Sequence, residues 1–466
     1  MQSTLIIPRR PSNQASITAA WRRLGLYERL LALLLLGYFV GERGFAELHI
    51  PGTPLYIGEI ILIAGLARIL LTPRDDFYFP IPALYCFFGL IALAIFSMCR
   101  HVWQDWVSSA RDAATAYYML FAIIACTRDG RWIIIFLSRL FGHLGPLFLA
   151  FIAVQACFPP VFDRITPFPD HHFALLKVVG NIWPLHAMII GFLGCISHDS
   201  DEFSLPPVVI ILLTAPIALT LLSQSRGATL GGLAALAVFL TIAQNRRMWE
   251  WSIAAVLITV LLGILTISLD LTGGDMINTG QVATKFVAIV DPENPNFKQG
   301  SADFRLKWWA DIIDLNMSRF DLAVFGQGFG ANAGSVGGRF DYAPLVRAAH
   351  NGWVNVFWWL GLSGLIFYAG FFILVLQRMI VLMRRRNRLA YPEARKWCAP
   401  IFAVAIGAAV GASFDNTLSN PVICIPLFTL WGSAIAAARS AAITQPTAPL
   451  RRVPRNPICQ SLATSN

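Results

Sequence analysis

Val208 to Leu222 reads VVIILLTAPIALTLL, without one charged residue, and only Ser223-Gln224-Ser225-Arg226-Gly227 separates it from a second apolar run that begins at Thr229. The apolar residues are continuous and do not alternate, so both runs are read as helix, and in lipid their backbone groups must be satisfied within each segment. Working outward, further runs begin near Leu26, Leu55, Ala83, Ala113, Ile133, Gly180, Trp251, Gly352, Ala399 and Pro421. Each is read as approaching the ~20 mostly apolar residues that cross a hydrocarbon core. Of the 466 residues, 56% are hydrophobic and 13% charged, and the mean hydropathy is +0.61. That composition excludes a water-soluble globular domain. The predicted fold is all-α: a polytopic membrane helical bundle of about twelve transmembrane helices, the first nine within residues 25–269 and the last three within 351–438.

Between the ninth and tenth helices lies one large polar loop, residues 270–350. Lys and Arg concentrate on one side of the bundle, at Arg9, Arg10, Arg22, Arg23 and Arg29, at Arg74, Arg128, Arg131, Arg246 and Arg247, at Arg384 to Arg386 and Arg388, and at Arg451, Arg452 and Arg455. Positive charge is retained on the cytoplasmic side. Both termini are therefore expected to be cytoplasmic and the large loop extracytoplasmic. Arg22, Arg23 and Arg29 lead straight into the first span, so an uncleaved first helix is expected. Residues 1–24 and 439–466, rich in Pro, Ser, Thr and Arg, are expected to be disordered cytoplasmic tails. The net charge of +10 does not point to nucleic acid, because the basic residues form short juxtamembrane runs rather than one basic face. Membrane lipids are the partner those runs suit. Of the eight cysteines, Cys86, Cys126, Cys157, Cys195 and Cys424 lie in or near spans and none lies in the polar loop, which leaves no disulfide framework or metal-ligand spacing there.

Within the loop, residues 270–300 are rich in Gly, Asn, Asp and Pro and read as irregular. From Ser301 to Met317 a helical period places Phe304, Trp308, Ile312 and Leu315 on one face, with Ser301 as the expected cap. Lys307 has Asp303 and Asp311 four residues to either side and is expected to pair with them. Arg305 has no acid at such spacing, which leaves its guanidinium for an anion from outside the helix or for solvent and lipid phosphate. Arg226 also lacks an acidic neighbour. At the start of a helix it combines a fixed charge with the helix dipole, which suits a phosphate; snorkelling to lipid headgroups is the equal alternative. His350 precedes Asn351 and the tenth span, at the membrane boundary on the side that holds both arginines. It serves either as a structural residue at a helix start or as a neutral imidazole that takes a proton from a hydroxyl.

These features resemble the O-antigen ligase and O-antigen polymerase-like membrane glycosyltransferases. The resemblance rests on the many spans, Ser225-Arg226-Gly227, Arg305 with Trp309, Gly326, Gly328 and Gly330 after Phe325, and His350-Asn351 followed by Gly361 and Gly364; Arg111-Asp112 with Tyr117 is a further shared feature. It implies transfer of a glycan from an undecaprenyl diphosphate carrier to an acceptor hydroxyl, on the periplasmic side of the bacterial inner membrane. Arg226 and Arg305 would clamp the diphosphate, His350 would activate or orient the acceptor, and Asn351 and Trp309 would contact substrate. The acceptor would be lipid A-core in a ligase or the growing polysaccharide in a polymerase. No metal or cofactor is implied.

Other motifs are expected to be structural. Asp199 and Asp201 beside His198 read as a solvated cytoplasmic loop, and His171 and His172 as part of an external one. His186 stands alone in the sixth span. The glycines from Gly326 to Gly338 lack the strand and helix of a nucleotide site and read as turns. Trp308, like Trp309, is a candidate for stacking on sugar. A polysaccharide transporter or flippase is the competing class, but the spans read as almost free of charge, Glu59 and Asp415 lie near span ends, and no repeated halves are visible.

Overall fold

The computed structural model describes residues 16–50, 53, 55–71, 76–101, 105–157, 183–198, 205–223, 225–268, 299–338, 348–384 and 393–443. The regular elements among them are all helical, and the only β-type pairings there are isolated bridges of His49 with Tyr56 and Phe77 with Thr127. In chain order the helices are α1 (Ile17–Arg22), α2 (Leu26–Ala46), α3 (Ile57–Leu71), α4 (Ile81–His101), α5 (Trp106–Tyr117), α6 (Leu120–Ala125), α7 (Arg131–Cys157), α8 (Trp183–Cys195), α9 (Pro207–Leu222), α10 (Arg226–Ala243), α11 (Arg246–Ser268), α12 (Gln299–Met317), α13 (Phe320–Phe325), α14 (Gly352–Met383), α15 (Ala394–Ala412) and α16 (Pro421–Ile443), with a 3₁₀ turn at Ala333–Gly338.

Five segments among the described residues are long and apolar enough to cross a bilayer: Ile81–Arg100, Arg131–Gln155, Gly352–Met383, Ala394–Ala412 and Pro421–Ser440; Trp183–Cys195, Pro207–Leu222 and Gly227–Ala243 are shorter apolar helices. The chain is a helical membrane protein. The figure of about twelve spans counted apolar runs, and several of those runs make short or broken helices. The run near Ala113 divides into α5 and α6. The first expected tail is partly structured, because the Ser16 hydroxyl caps α1 by accepting from the Ala19 amide and Ala20 is buried. At the other end α16 runs five residues past 438. Most of the irregular loop expected at 270–300, the remaining parts of both tails, His171, His172, Asp199 and Asp201 lie outside the described residues.

Helix α16 is the axis of the bundle. From Val422 to Ala438 almost every side chain is buried, as suits a helix that is apolar all round. Charges that composition had hidden lie in α2. Glu28 is buried and pairs with Arg68 at 2.6 Å, and Glu42, in a kink with φ 43°, lies 3.6 Å from the buried His186. His186 is therefore not alone: its Nδ1 faces Glu42, and its Nε2 is 2.9 Å from the Val422 carbonyl oxygen at the start of α16.

The longest helix, α14, is broken at Gly361 (φ 63°). A helix interrupted there leaves the carbonyls just before it without their i+4 amides. Neighbouring segments supply the donors. Asn316 Nδ2 donates to the Phe357 carbonyl (2.8 Å), the Gln327 amide to Trp358 (2.7 Å), and the Gly328 amide to Trp359 (3.1 Å). The Ser363 hydroxyl donates to the carbonyls of Leu360 and Val324. The kink thus docks the Gly326–Gly330 loop, which is also held by Arg100 Nη1 on the Gly326 carbonyl (2.6 Å), the Phe329 amide on Ser97 Oγ (2.7 Å) and the Gly330 amide on Asp112 Oδ2 (3.0 Å).

Gly361→Ala is expected to cost at least about 2 kcal/mol, because a methyl there combines positive φ with backbone of Val324 at 2.5 Å and of Gly326 at 2.6 Å. Gly370→Ala, whose Cβ would meet only Cys86 within 4 Å, with Sγ at 3.1 Å, is expected to cost under about 1 kcal/mol. Thermal unfolding of the two variants in detergent compares them, and equal loss would mean that the kink does not require glycine.

Candidate functional site

The connection between α15 and α16, residues 413–420, collects the residues that the sequence singled out. Three of its backbone carbonyls accept from two elements, the start of α14 and α12. Asn351 Nδ2 donates to the Ser413 carbonyl (2.9 Å), Arg305 Nη1 to Phe414 (3.4 Å) and the Gly352 amide to Asp415 (3.1 Å). Tyr368 Oη donates to the Leu418 carbonyl (3.0 Å), which ties the connection to the middle of α14.

Arg226 opens α10, whose cap is the Ser225 hydroxyl accepting from the Ala228 amide (3.2 Å). The position of this helix is set by glycine. A Cβ on Gly231 would come 2.6 Å from the Gly407 carbonyl oxygen, and one on Gly227 would come 2.7 Å from Phe414 Cβ. Backbone-to-backbone packing of α10 on α15 therefore lays the N-terminus of α10 against Phe414, the residue whose carbonyl Arg305 engages. The Arg226 side chain lies outside the described residues.

His350 is a non-glycine residue with φ 51°. That conformation costs an ordinary residue about 1 kcal/mol or more, so it persists only where its surroundings hold it. Both flanks are held. On one side the Ala349 amide donates to Asn355 Oδ1 (2.7 Å), and Trp309 Nε1 donates to the Ala349 carbonyl (2.7 Å). On the other, Asn351 Oδ1 caps α14 by accepting from the Trp353 and Val354 amides (3.0 and 3.1 Å). The imidazole is 45% exposed, and its Nδ1 lies 3.8 Å from Asp415 Oδ1. This is ion-pair range, longer than a hydrogen bond.

Helix α12 begins at Gln299, two residues before the expected cap Ser301, so Ser301 lies inside it. Its buried stripe is Trp308, Ile312 and Asn316, while Leu315 is exposed. Trp308 is fully buried and donates to the Ala333 carbonyl (3.0 Å), which leaves no ring face for a sugar. Trp309 is half-buried and braces Ala349. Arg305 is half-exposed and donates to the Phe414 carbonyl, with no carboxylate within ion-pair reach among the described residues. Beside this helix lies a cavity of about 640 Å³, lined in part by Asp311, Asp314, Gln327, Asn332, Ser335 and Trp358. Among the described residues, no three His, Cys, Asp or Glu side chains come together as metal ligands would.

The sequence did not mark Asn355, Asp415 or Asn416 as site residues. Asn355 is fully buried and joins the two halves of the site, accepting from Ala349 and donating to Asn416 Oδ1 (2.6 Å). The polar stretch Ser413 to Asn420 between two apolar runs was the available signal. A further cluster lies at the start of α3, where Glu59 Oε1 accepts from the hydroxyls of Tyr117 (3.1 Å) and Tyr118 (2.6 Å), and Arg111 donates to Tyr56 Oη.

Residues 209–369 carry a match to the family described as O-antigen ligase. The match spans Arg226, Arg305, His350, Asn351 and Gly361 and stops short of the 413–420 connection. The family resemblance is thereby shown over that stretch. No curated protein matches the chain.

Asn355→Ala is expected to cost about 1–3 kcal/mol by stranding the Ala349 amide. Hydrogen exchange at residues 348–356 should speed up along with it. Unchanged exchange there would mean that Asn355 does not hold the His350 segment.

Proposed function

We propose that this protein is a glycosyltransferase of the bacterial inner membrane that moves a glycan from undecaprenyl diphosphate to an acceptor hydroxyl on the periplasmic side, with O-antigen ligation to lipid A-core as the reaction. The observation that supports this most is convergence on one short connection: Arg305, the N-terminus of α10 that begins at Arg226, and the His350-Asn351 pair all meet residues 413–416. Two arginines without acidic neighbours in sequence, a helix N-terminus and an exposed imidazole match a diphosphate leaving group and a hydroxyl nucleophile.

In this scheme Arg226 and Arg305 hold the diphosphate, and the dipole of α10 adds to their charge. The acceptor oxygen attacks the anomeric carbon, its proton passes to His350, and the bond from that carbon to the diphosphate breaks as negative charge collects on the phosphate oxygens. The arginines act most strongly at that stage, because the charge they face is then largest. Asp415 steadies the imidazole once it is protonated. Asn351 and Trp309, expected from the sequence to contact substrate, serve here as positioning residues, since their side-chain polar groups bond to the Ser413 carbonyl and α14 amides and to the Ala349 carbonyl. The cavity beside α12, with its carboxylates, amides and Trp358, is assigned to acceptor sugar. The chemistry uses no metal.

Arg226→Ala, Arg305→Ala and His350→Ala are each expected to lower transfer by about 100-fold or more with the protein still inserted and folded. The readout is a lipopolysaccharide gel with parallel analysis of undecaprenyl-linked glycans, in cells that lack the protein and carry each variant. Loss of the long-chain ladder with accumulation of carrier-linked polymer supports ligation, whereas short chains still attached to lipid A-core would reassign the protein as a polymerase. Wild-type turnover in a variant removes that residue from the scheme. Transfer by the purified protein is expected to survive a chelator, and chelator-sensitive transfer overturns the metal-free chemistry.

A further inference from the structure

The end of α16 away from the 413–420 connection carries a second gathering of arginines. Arg439, about 27 Å along the helix from Pro421 at 1.5 Å per residue, lies over the Tyr78 ring at 5.3 Å and donates to the Tyr78 carbonyl. Tyr78 and Asp76 in turn pair by backbone with Cys126 and Arg128. This end is thus separated from His350 by about the thickness of a hydrocarbon core.

Here α1 and α7 build an aromatic platform. Trp21 packs on Phe136, with ring centroids 5.2 Å apart, and Trp132 stands one turn before Phe136 on α7. The guanidinium carbons of Arg23 and Arg131 lie 4.6 and 4.9 Å from the Trp132 centroid, and that of Arg29 lies 5.6 Å from the Trp21 centroid. Arg23 and Arg131 share the Trp132 ring, and the like charges of Arg128 and Arg23 act on Arg131 and that of Arg23 on Arg139, against the opposite charge of Asp129 on Arg131. None of these five arginines has a carboxylate within ion-pair reach among the described residues. The nearby acids, Glu28 and Asp129, are held by Arg68 at 2.6 and 3.3 Å. Among the described residues, the Nε atoms of Arg29 and Arg131 are buried without an acceptor.

Like charges gathered at a bilayer boundary, with buried donors left unpaired, are unfavourable unless a ligand brings acceptor oxygens and negative charge. Simple snorkelling would spread the side chains apart into the headgroup layer. Here cation–π contacts hold them over two neighbouring rings instead. The arginines thus occupy two seats, one over Trp21 and one over Trp132.

We propose that the Arg23, Arg29, Arg128, Arg131 and Arg139 cluster is a binding site for an anionic phospholipid headgroup that carries two phosphates, in the leaflet opposite the His350 face. The acyl chains would follow the exposed apolar surface of the bundle while the phosphates sit over the two tryptophans. The site is independent of the transfer chemistry.

Native mass spectrometry of the full-length protein, titrated with diphosphatidylglycerol, phosphatidylglycerol, phosphatidylethanolamine or inorganic phosphate, tests the proposal. The wild type is expected to retain diphosphatidylglycerol most tightly. Arg23→Gln with Arg131→Gln should weaken it about thirtyfold, and the exposed Arg23→Gln alone, which leaves α7 intact, about fivefold. Arg246→Gln with Arg247→Gln, where both arginines pair with Glu250 instead, should leave it unchanged. Equal affinity for the lipids with one and two phosphates, or unchanged binding in Arg23→Gln, overturns the site. Displacement of the lipid by inorganic phosphate at equal concentration would assign the cluster to a free anion and overturn the lipid proposal.

Discussion

Backbone carbonyls left without partners by the break at Gly361 are the constraint on which much of this architecture depends. In lipid an unpaired carbonyl costs several kcal/mol, so a broken helix must be covered by donors from elsewhere. Asn316 comes from α12, and the Gln327 and Gly328 amides come from the loop after α13. Because those donors are fixed in sequence, so is the placement of α12 and the glycine loop on α14. Positive φ at Gly326, Gly328 and Gly330 lets that loop approach the helix backbone directly. Polar segments between spans are thereby built into the bundle.

The same logic extends to the site. Arg305 and Trp309 lie on α12, which the kink anchors through Asn316, and they reach Phe414 and Ala349 from that base. On the opposite side, glycines on α10 and α15 bring two helix backbones into contact and place the start of α10 against Phe414. His350 occupies its unfavourable φ because Asn355, Trp309, Asn351 and the Asp415 carbonyl restrain its neighbours. These restraints are hydrogen bonds to backbone, at about 0.5–1.5 kcal/mol each, and together they exceed the local strain.

Part of this could be read from the sequence. The all-helical membrane class follows from uninterrupted apolar runs, and Arg305 and His350 stand out through local properties, the absence of acids three or four residues away and a position at the edge of an apolar run. Asn355 and Asn416 are 61 residues apart, and nothing in either neighbourhood marks the pair. Trp309 is ambiguous in sequence, since an interfacial tryptophan can face sugar, lipid or a carbonyl. Glu42 and His186 were lost to averaging, because single charges hardly change the hydropathy of a long window, and their approach joins α2 to α8. Apolar composition likewise does not reveal that the run near Ala113 divides at Tyr118.

The two ends of α16 differ in how their positive charge is arranged. At the 413–420 end, Arg305 leans on the Phe414 carbonyl beside the N-terminus of α10, and Asp415 lies 3.8 Å from His350. A diphosphate entering there would meet donors that need not release another partner first, and this preorganisation is what transition-state stabilisation requires. At the Tyr78 end the arginines lie over indole faces, which attract a cation by their quadrupole yet accept no hydrogen bond in the ring plane. Their N–H groups are therefore left for acceptors that the rings do not supply. Under the proposed function the first end would receive a charged, departing group, whereas the arginines at the end of α1, on α2 and α7 and in the turn before α7 would hold the opposite end to anionic lipid.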